Sequence, residues 1–272
     1  MTDKPRLGFV GAGRVGKGLS LALSRAGYPI AGVAGRADAQ KVVDDAELVF
    51  LTVPDDALKA VCSGLEFSEQ HSVIHCSGAA ELSVLQHAGS EGAQVGGFHP
   101  LLMFADPEVA ARGIKGCAIA VEAEEPLAGT LLHMVADLGA RALRVPPGAR
   151  AAYHAGAHYA AAFVAALLAE GTAIWGRIGI PEEDALAALL PLLRGATDAI
   201  AHSGPARAMA GSIARGDVET LERHLDALGA LDPKFRELYR VLALRTLPLA
   251  IKAGKVDAAR AARIRELLQP RG

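Results

Sequence analysis

Residues 7–16 read LGFVGAGRVG, and this stretch decides the fold. A short apolar run enters a glycine-rich turn, and an apolar-periodic helix follows. In this context G-x-G-x-x-G predicts a dinucleotide site. Gly11 permits the tight turn, Gly13 lets the backbone approach a pyrophosphate, and Gly16 lets the helix pack against the strand. We expect free N–H groups at the helix N-terminus to hold the pyrophosphate; the alternative is a turn that binds nothing. The predicted cofactor contacts here are Gly11, Ala12, Gly13, Arg14, Val15 and Gly16.

The end of the second predicted strand, residues 30–34, indicates which dinucleotide binds. NAD enzymes usually place Asp or Glu there to accept hydrogen bonds from the ribose hydroxyls. This chain has Gly35 and Arg36, and no carboxylate comes before Asp38. The planar fork of arginine suits a 2′-phosphate, and Arg14 adds a second positive charge. We predict NADP(H) as the cofactor, against the alternative that Arg36 is an ordinary solvated charge.

Length and composition are those of a globular protein of one large or two smaller domains. The chain has 272 residues, is 51% hydrophobic and carries a formal net charge of −2. Without a basic patch, nucleic-acid binding is not expected. Cys62, Cys76 and Cys117 have no metal-like spacing and are typical of reduced cytosolic thiols. The chain enters a strand within a few residues, so we expect no signal peptide. With reduced thiols we expect a cytoplasmic location, and the spacing of the possible ligands predicts no bound metal.

One segment, residues 151–176, is apolar enough to suggest a membrane span. It contains His154, His158 and Glu170, and much of its apolarity comes from alanine. We therefore expect a buried helix at a dimer interface, and no membrane.

The predicted fold class is α/β: an N-terminal Rossmann-like parallel-sheet domain followed by an all-α C-terminal domain. The connection over residues 36–46 is short, so one strand and most of a helix should be missing from the first half of the sheet. Residues 146–148, Pro-Pro-Gly, mark the boundary between domains 1–147 and 148–272. One long helix is predicted over 149–178. The other predicted strands are 47–53, 71–76, 93–98, 116–122 and 141–145, and the N-terminal helices are 14–26, 55–63, 80–88 and 125–138.

Candidate catalytic residues follow from the rule that open parallel sheets bind ligands beyond the carboxyl ends of their strands. The loops there contain Val53 and Pro54, which we predict to contact the cofactor, and the catalytic candidates Ser77 and His99. Reduction of a carbonyl builds negative charge on oxygen, which His99 is placed to protonate; the alternative is a histidine that caps its loop. Ser77 is a candidate donor to substrate, or else a helix N-cap.

Two further candidates lie in the second half of the chain. His154 and His158 share a helix face, but no third metal ligand is evident, and we expect one of them, with Tyr153, to contact substrate. Arg215 is a candidate for binding a substrate carboxylate, and the alternative is a structural ion pair. The expected partners are a small carboxylate substrate and a second copy of the chain.

These motifs together resemble a two-domain bacterial family that joins a Rossmann-like NADP domain to a helical C-terminal domain of unknown function. Its members are often described as deazaflavin-dependent-NADP-oxidoreductase-like. The resemblance implies a fold similar to 6-phosphogluconate dehydrogenase and pyrroline-5-carboxylate reductase, with dimers built on the helical domain. The motifs that carry it are GAGRVG (11–16), TVPDDAL (52–58), HCSGA (75–79), GFHPLLMF (97–104), AYHAGAHYAAAF (152–163), GSIARGD (211–217), HLDAL (224–228) and LYRVLALRTLPLA (238–250).

Some members of that family look like alternative ketopantoate reductases. The resemblance therefore implies an NADPH-dependent reductase of a small 2-oxo acid, with ketopantoate as the named candidate. Imine reduction of the pyrroline-5-carboxylate reductase type is the second hypothesis. A non-catalytic NADP-binding protein is the third, because Ala161-Ala162 replaces a Ser-Asn pair that is common in the family.

Overall fold

A seven-stranded sheet forms the centre of the N-terminal part of the chain. The computed structural model describes residues 4–269. The strands lie in the order β2-β1-β3-β4-β5-β6-β7, and every neighbouring pair is parallel except β5–β6. The predicted fold class is thus confirmed, with one antiparallel pair in a mostly parallel sheet. The strands are β1 Leu7–Val10, β2 Ile30–Ala34, β3 Leu48–Leu51, β4 Ser72–His75, β5 Gln94–Pro100, β6 Ala118–Ala123 and β7 Arg141–Arg144.

Six helices connect these strands, and a seventh, α7 (Arg150–His158), follows β7. Two of the six, α2 (Ala39–Asp44) and α5 (Pro107–Gly113), are not among the helices that the sequence predicts. The side chain of Asp106 accepts a hydrogen bond from the Val109 amide, and Pro107 occupies the first turn. Both features favour a helix start, so the signal for α5 was present in the sequence. This helix lies in the connection that returns β6 antiparallel to β5. The helices are α1 Arg14–Arg25, α2 Ala39–Asp44, α3 Leu58–Ser63, α4 Gln86–Ser90, α5 Pro107–Gly113, α6 Leu127–Asp137 and α7 Arg150–His158.

The sheet is shortened at its first edge. β1 pairs with β2 on one side and with β3 on the other, so β2 is the edge strand. Only the short helix α2 separates β2 from β3. The prediction that residues 36–46 lack a strand and most of a helix agrees with this order.

The core has two layers because successive residues of a strand point to opposite faces of the sheet. Phe9, Phe50 and Phe98 are fully buried on one face. The rings of Phe9 and Phe50 stack with centroids 5.0 Å apart, and Phe98 meets Phe50 edge-on at 5.7 Å. Val49 and Leu51 belong to the cluster on the other face.

The chain divides into two compact units, 1–160 and 161–272. This division lies after α7, later than the Pro-Pro-Gly boundary that the sequence predicts, because α7 packs with the sheet. The long helix predicted over 149–178 is broken, since Ala161 has the non-helical angles φ −128° and ψ −83°. The segment Arg150–Arg177 is the one stretch of residues 4–269 long and apolar enough to cross a membrane. Arg150 at its start is fully buried, and it is the one buried residue of α7 in the described structure.

The second unit is helical. Its core contains Leu221, Leu225, Leu247 and Ile264. Within α9 the helix is interrupted at Gly204, whose φ is 76°. The helices are α8 Ala162–Arg177, α9 Glu182–Ala208, α10 Gly211–Arg215, α11 Val218–Leu231, α12 Pro233–Lys252 and α13 Ala258–Leu267.

Candidate cofactor groove and active site

The glycine turn after β1 has the geometry that its sequence predicts. Gly11 has a φ of 121°, and a Cβ there would lie 2.6 Å from the Thr52 carbonyl group. A Cβ at Gly16 would overlap the Gly11 carbonyl oxygen. A Cβ at Gly13, by contrast, would meet no described protein atom within 4 Å. The first and third glycines are therefore required by packing, whereas the second borders open space.

Thr52, which the sequence analysis did not select, holds this turn in place. Its hydroxyl donates a hydrogen bond of 2.8 Å to the Gly11 carbonyl oxygen. Thr52 directly follows β3, the parallel neighbour of β1. Parallel neighbours end at the same edge of a sheet, and this is the signal that could have identified Thr52.

The turn leads into the N-terminus of α1. Gly13 is its N-cap, and no side chain in residues 4–269 caps this end. The first N–H groups of a helix have no partner within the helix, and the helix dipole adds partial positive charge there. This end can therefore bind an anion such as a pyrophosphate.

A groove with two lobes, each of about 470 Å³, runs along this edge of the sheet. Val53 and Pro54 line both lobes and form the ridge between them. Ala12 lies exposed in the turn. The first lobe is lined by Gly13, Arg14, Val15, Thr52, Val53, Pro54, Asp55, Cys76, Ser77, His99, Pro100, Leu102 and Phe104. The second is lined by Val10, Gly11, Gly35, Arg36, Ala39, Val53, Pro54, Ala57, Ala60, Val61, Gly64 and Leu65.

The two predicted phosphate-binding arginines lie in different lobes. Arg14 lines the first and Arg36 lines the second. Both are exposed. Arg36 shares its lobe with the small apolar side chains of Ala57, Ala60 and Val61, which suit a flat ring. One arginine thus lies on each side of the ridge, so the two do not form a single charged pocket.

His99 lies at the centre of an aromatic and polar cluster. Its Nδ1 is 2.9 Å from the Tyr153 hydroxyl, and its ring meets that of His154 edge-on at 5.9 Å. Gly78 permits this crowding, because a Cβ there would lie 2.8 Å from the His99 ring and 2.7 Å from the His154 ring.

Burial decides the charge of His99. Burial, together with the nearby His154 and Arg150, lowers the pKa of His99 to about 4, and Asp55 opposes them. Burial also raises the pKa of Tyr153. At neutral pH the pair is therefore an uncharged imidazole hydrogen-bonded to an uncharged phenol, and His99 does not carry the imidazolium proton that a strong acid would need.

Ser77 holds a turn and is not a helix N-cap, because residues 77–81 are not helical and Glu81 precedes the next helical turn. Its Oγ accepts hydrogen bonds from the amides of Ala79 and Ala80, at 3.1 and 2.9 Å. It also lines the first lobe. Its carbonyl oxygen accepts a hydrogen bond of 3.0 Å from Arg150, a residue that the sequence analysis did not select. Ser77 thus shapes the loop, and its contact with substrate stays a prediction.

His154 and His158 lie one above the other on α7, with ring centroids 4.7 Å apart. The His158 ring pairs with the backbone of His154, Nδ1 to carbonyl oxygen at 3.0 Å. Within residues 4–269 no group of three or more His, Cys, Asp or Glu side chains is arranged to hold a metal ion.

Arg215 belongs to the second unit, at the end of α10. Its guanidinium lies 4.0 Å from the Asp217 carboxylate. Asp217 caps α11 by accepting a 3.0 Å hydrogen bond from the Thr220 amide, which is the main reason that its pKa is lowered. This is the ion pair of the alternative interpretation, and the role of Arg215 toward substrate stays a prediction.

Comparison with known proteins places this geometry in a wider group. Residues 117–246 match the family model described as a domain of unknown function, DUF2520. The matched region begins one residue before β6. It therefore covers β6, β7 and α7 of the first unit as well as much of the second unit. No curated protein sequence matches the chain.

Solved structures share the whole architecture at low sequence identity. A Bacteroides fragilis protein described provisionally as an NADP oxidoreductase is 20% identical over 90% of this chain and 99% of its own, with a TM-score of 0.69. A Thermotoga maritima protein is 19% identical over 90% and 98%, with a TM-score of 0.74. The reductive aminase of Aspergillus terreus, in complex with NADPH and ethyl levulinate, is 14% identical over 97% and 99%, with a TM-score of 0.61.

These findings confirm the resemblance at the level of architecture. The chain combines a Rossmann-like sheet with a helical region, and a model for a domain of unknown function matches part of it. At such identities the likeness to solved structures shows the fold alone, so activity must be argued from the site.

Proposed function

We propose that this protein is an NADP(H)-dependent oxidoreductase that reduces a small 2-oxo acid of the ketopantoate type. One observation carries the proposal: the groove that begins at the uncapped N-terminus of α1 ends, in its first lobe, at His99. A dinucleotide held at the glycine turn would have its reactive end beside an ordered hydrogen-bonding pair. The NADPH in the reductive aminase complex is a further support.

The residues present fit this cofactor. The N–H groups at the start of α1 would hold the pyrophosphate, with Arg14 beside them. The apolar second lobe would take the adenine, and Arg36 would bind the 2′-phosphate with its planar fork. When bound, the reduced nicotinamide supplies a hydride. The protein has to orient the acceptor and stabilise the charge that develops on it.

His99 and Tyr153 would supply that stabilisation. A protonated phenol that donates to Nδ1 leaves the single proton of the neutral imidazole on Nε2. That N–H can donate to a substrate oxygen as negative charge builds there. We propose that Tyr153 fixes the tautomer and that His99 contacts the substrate. Arg215 is the proposed partner of the substrate carboxylate.

Imine reduction is the second candidate, and the low pKa of His99 favours it. A carbonyl must gain a proton as it is reduced. A protonated imine already carries its proton when it binds, so its reduction needs no strong acid from the protein. The likeness to a reductive aminase points the same way.

Steady-state NADPH oxidation with a panel of 2-oxo acids and a panel of cyclic imines tests both candidates. We expect turnover with one panel, and a decrease in kcat of about tenfold to a hundredfold in Tyr153→Phe, because that change removes the tautomer-fixing hydrogen bond. Arg141→Lys, an exposed change on β7, is the matched control. Tight NADPH binding without turnover in either panel would refute the reductase and favour the non-catalytic binding protein.

We also propose that a second copy of this chain covers α8 and α9. These helices are apolar, yet in the described structure Thr172 is the one buried residue of α8 and Ala185 that of α9. Leu167 and Leu192 are 45% and 69% exposed, and apolar helix faces of this kind are normally covered. Light scattering after size-exclusion chromatography should give a dimer, and Leu167→Glu should weaken it. A monomer at micromolar concentration would refute this assembly.

A further inference from the structure

At Gly97, two residues before His99, one face of the sheet has a gap because glycine has no side chain. His75 of β4, Gly97 of β5 and Glu122 of β6 are register partners in one row across the sheet. The two outer members have large side chains and the middle one has none. The Arg150 guanidinium fills this gap, and a Cβ at Gly97 would overlap it.

The Arg150 side chain is fully buried and is held by the strands around it. Its Nε pairs with the Glu122 carboxylate, and its Nη1 donates a hydrogen bond of 3.0 Å to the Ser77 carbonyl oxygen. The third nitrogen, Nη2, has no partner in the described structure, and neither ring nitrogen of His75 has one. A buried charge is costly unless it is paired and hydrogen-bonded. The guanidinium is therefore confined to the site where Glu122 and Ser77 can reach it.

A second contact fixes the start of α7. The Glu81 carboxylate accepts hydrogen bonds from the backbone amides of Gly148 and Arg150, at 3.2 and 3.3 Å. With the guanidinium, this attaches the first turn of the helix at two points. The helix can then neither slide along the sheet nor rotate without breaking a buried contact.

The distance from Gly97 to His99 along β5 is similar to the distance from Arg150 to Tyr153 along α7. Gly97 and His99 lie on one face of β5, about 6.6 Å apart. Tyr153 and His154 lie three and four residues after Arg150, on the same helix face, about 4.5–6 Å along the axis. When Arg150 sits over Gly97, Tyr153 therefore reaches His99, as the 2.9 Å contact shows.

We propose that Arg150, seated over Gly97 between His75 and Glu122, is the positioning residue that sets the hydrogen bond between Tyr153 and His99. It acts through α7. The kinetic part of its test rests on the proposed oxidoreductase function, whereas the spectroscopic part does not.

The experiment uses the full chain labelled with ¹⁵N-histidine at neutral pH. Long-range ¹H–¹⁵N spectra report the tautomer and hydrogen bonding of each imidazole, and Tyr153→Phe gives the signature of a lost Nδ1 hydrogen bond at His99. Arg150→Lys keeps the charge but loses the fork. It should move the His99 signals in the same direction as Tyr153→Phe, and the double variant should move them no further. Arg141→Lys should leave them unchanged.

If a substrate is found, kcat should fall about tenfold to a hundredfold in Arg150→Lys, with no further loss in the double variant and NADPH affinity unchanged. If no substrate is found, the spectra still decide. If Arg150→Lys does not fold, Glu122→Gln is the second variant, because it keeps the shape and removes the charge that orients Nε. A folded Arg150→Lys or Glu122→Gln protein whose His99 signals match those of the unchanged protein would overturn the proposal.

Discussion

Replacement of Arg36 by alanine should change cofactor preference and leave the fold intact. Arg36 is exposed, follows β2 and lines the second lobe of the groove. It has no hydrogen bond or ion pair that its loss would leave incomplete in the described part of the chain. The change should therefore act on the ligand alone, and only on a ligand that carries a 2′-phosphate.

The expected size of the effect follows from the exposure of the arginine. Two unit charges about 4 Å apart in water interact by about 1 kcal/mol, and a phosphate monoester carries about −1.5 to −2 at neutral pH. Arg36 would thus contribute about 1.5–2 kcal/mol, or roughly a 10- to 30-fold change in the Kd of NADPH. The Kd of NADH should hardly change.

Isothermal titration calorimetry with both reduced nicotinamides measures this selectivity. Arg14→Ala is the matched control, because Arg14 lines the other lobe and should affect both cofactors about equally. The effect of Arg36→Ala on the Kd of NADPH should become smaller as the salt concentration is raised, since exposed charges are screened. An unchanged ratio of the two dissociation constants in Arg36→Ala would refute the assignment of the 2′-phosphate to Arg36.

Three further predictions concern stability, measured by urea unfolding. Thr52→Val removes the hydroxyl that donates to the Gly11 carbonyl. It should lower the free energy of unfolding by about 0.5–1.5 kcal/mol and weaken the binding of both NADPH and NADH. Unchanged stability and affinity would contradict this. Phe50→Ala removes a ring that packs between two aromatic neighbours, and should lower the free energy of unfolding by about 3–5 kcal/mol. A decrease below about 1 kcal/mol would contradict the packing of Phe50 between Phe9 and Phe98. Burial lowers the pKa of His99 to about 4, below the ordinary histidine pKa of about 6.5, so the unfolded chain takes up the proton first as the pH falls. Stability should fall as pH drops from about 7 to 4, and His99→Gln should reduce that slope; identical slopes would show that His99 is not buried in its neutral form.

Much of the fold could be predicted because its signals are local. The apolar runs of β1 and β3, the glycines after β1 and the proline-glycine break each act within a few residues. The helix α5 also had a local signal in Asp106 and Pro107. The antiparallel entry of β6 had none, because strand direction depends on where a connection returns to the sheet.

The candidate site was predicted in part for the same reason. The glycine turn follows from a local motif and His99 from a rule about strand ends, and the structure places both at one groove. Thr52 and Arg150 were missed. Thr52 acts on a turn 41 residues away in the sequence, and Arg150 pairs with a carboxylate 28 residues away. The rule about strand ends could have identified Thr52, but no periodicity or motif connects Arg150 to Glu122.

By itself, the sequence determined that a glycine-rich turn joins a buried strand to a helix, and that an arginine rather than a carboxylate follows the second strand. Only the tertiary structure decided that His99 is uncharged and bonded to Tyr153, and that Arg150 occupies the gap at Gly97. The physical reason is that backbone conformation at a glycine turn depends on neighbouring residues. The charge and orientation of a buried side chain depend instead on which distant groups exclude water from it.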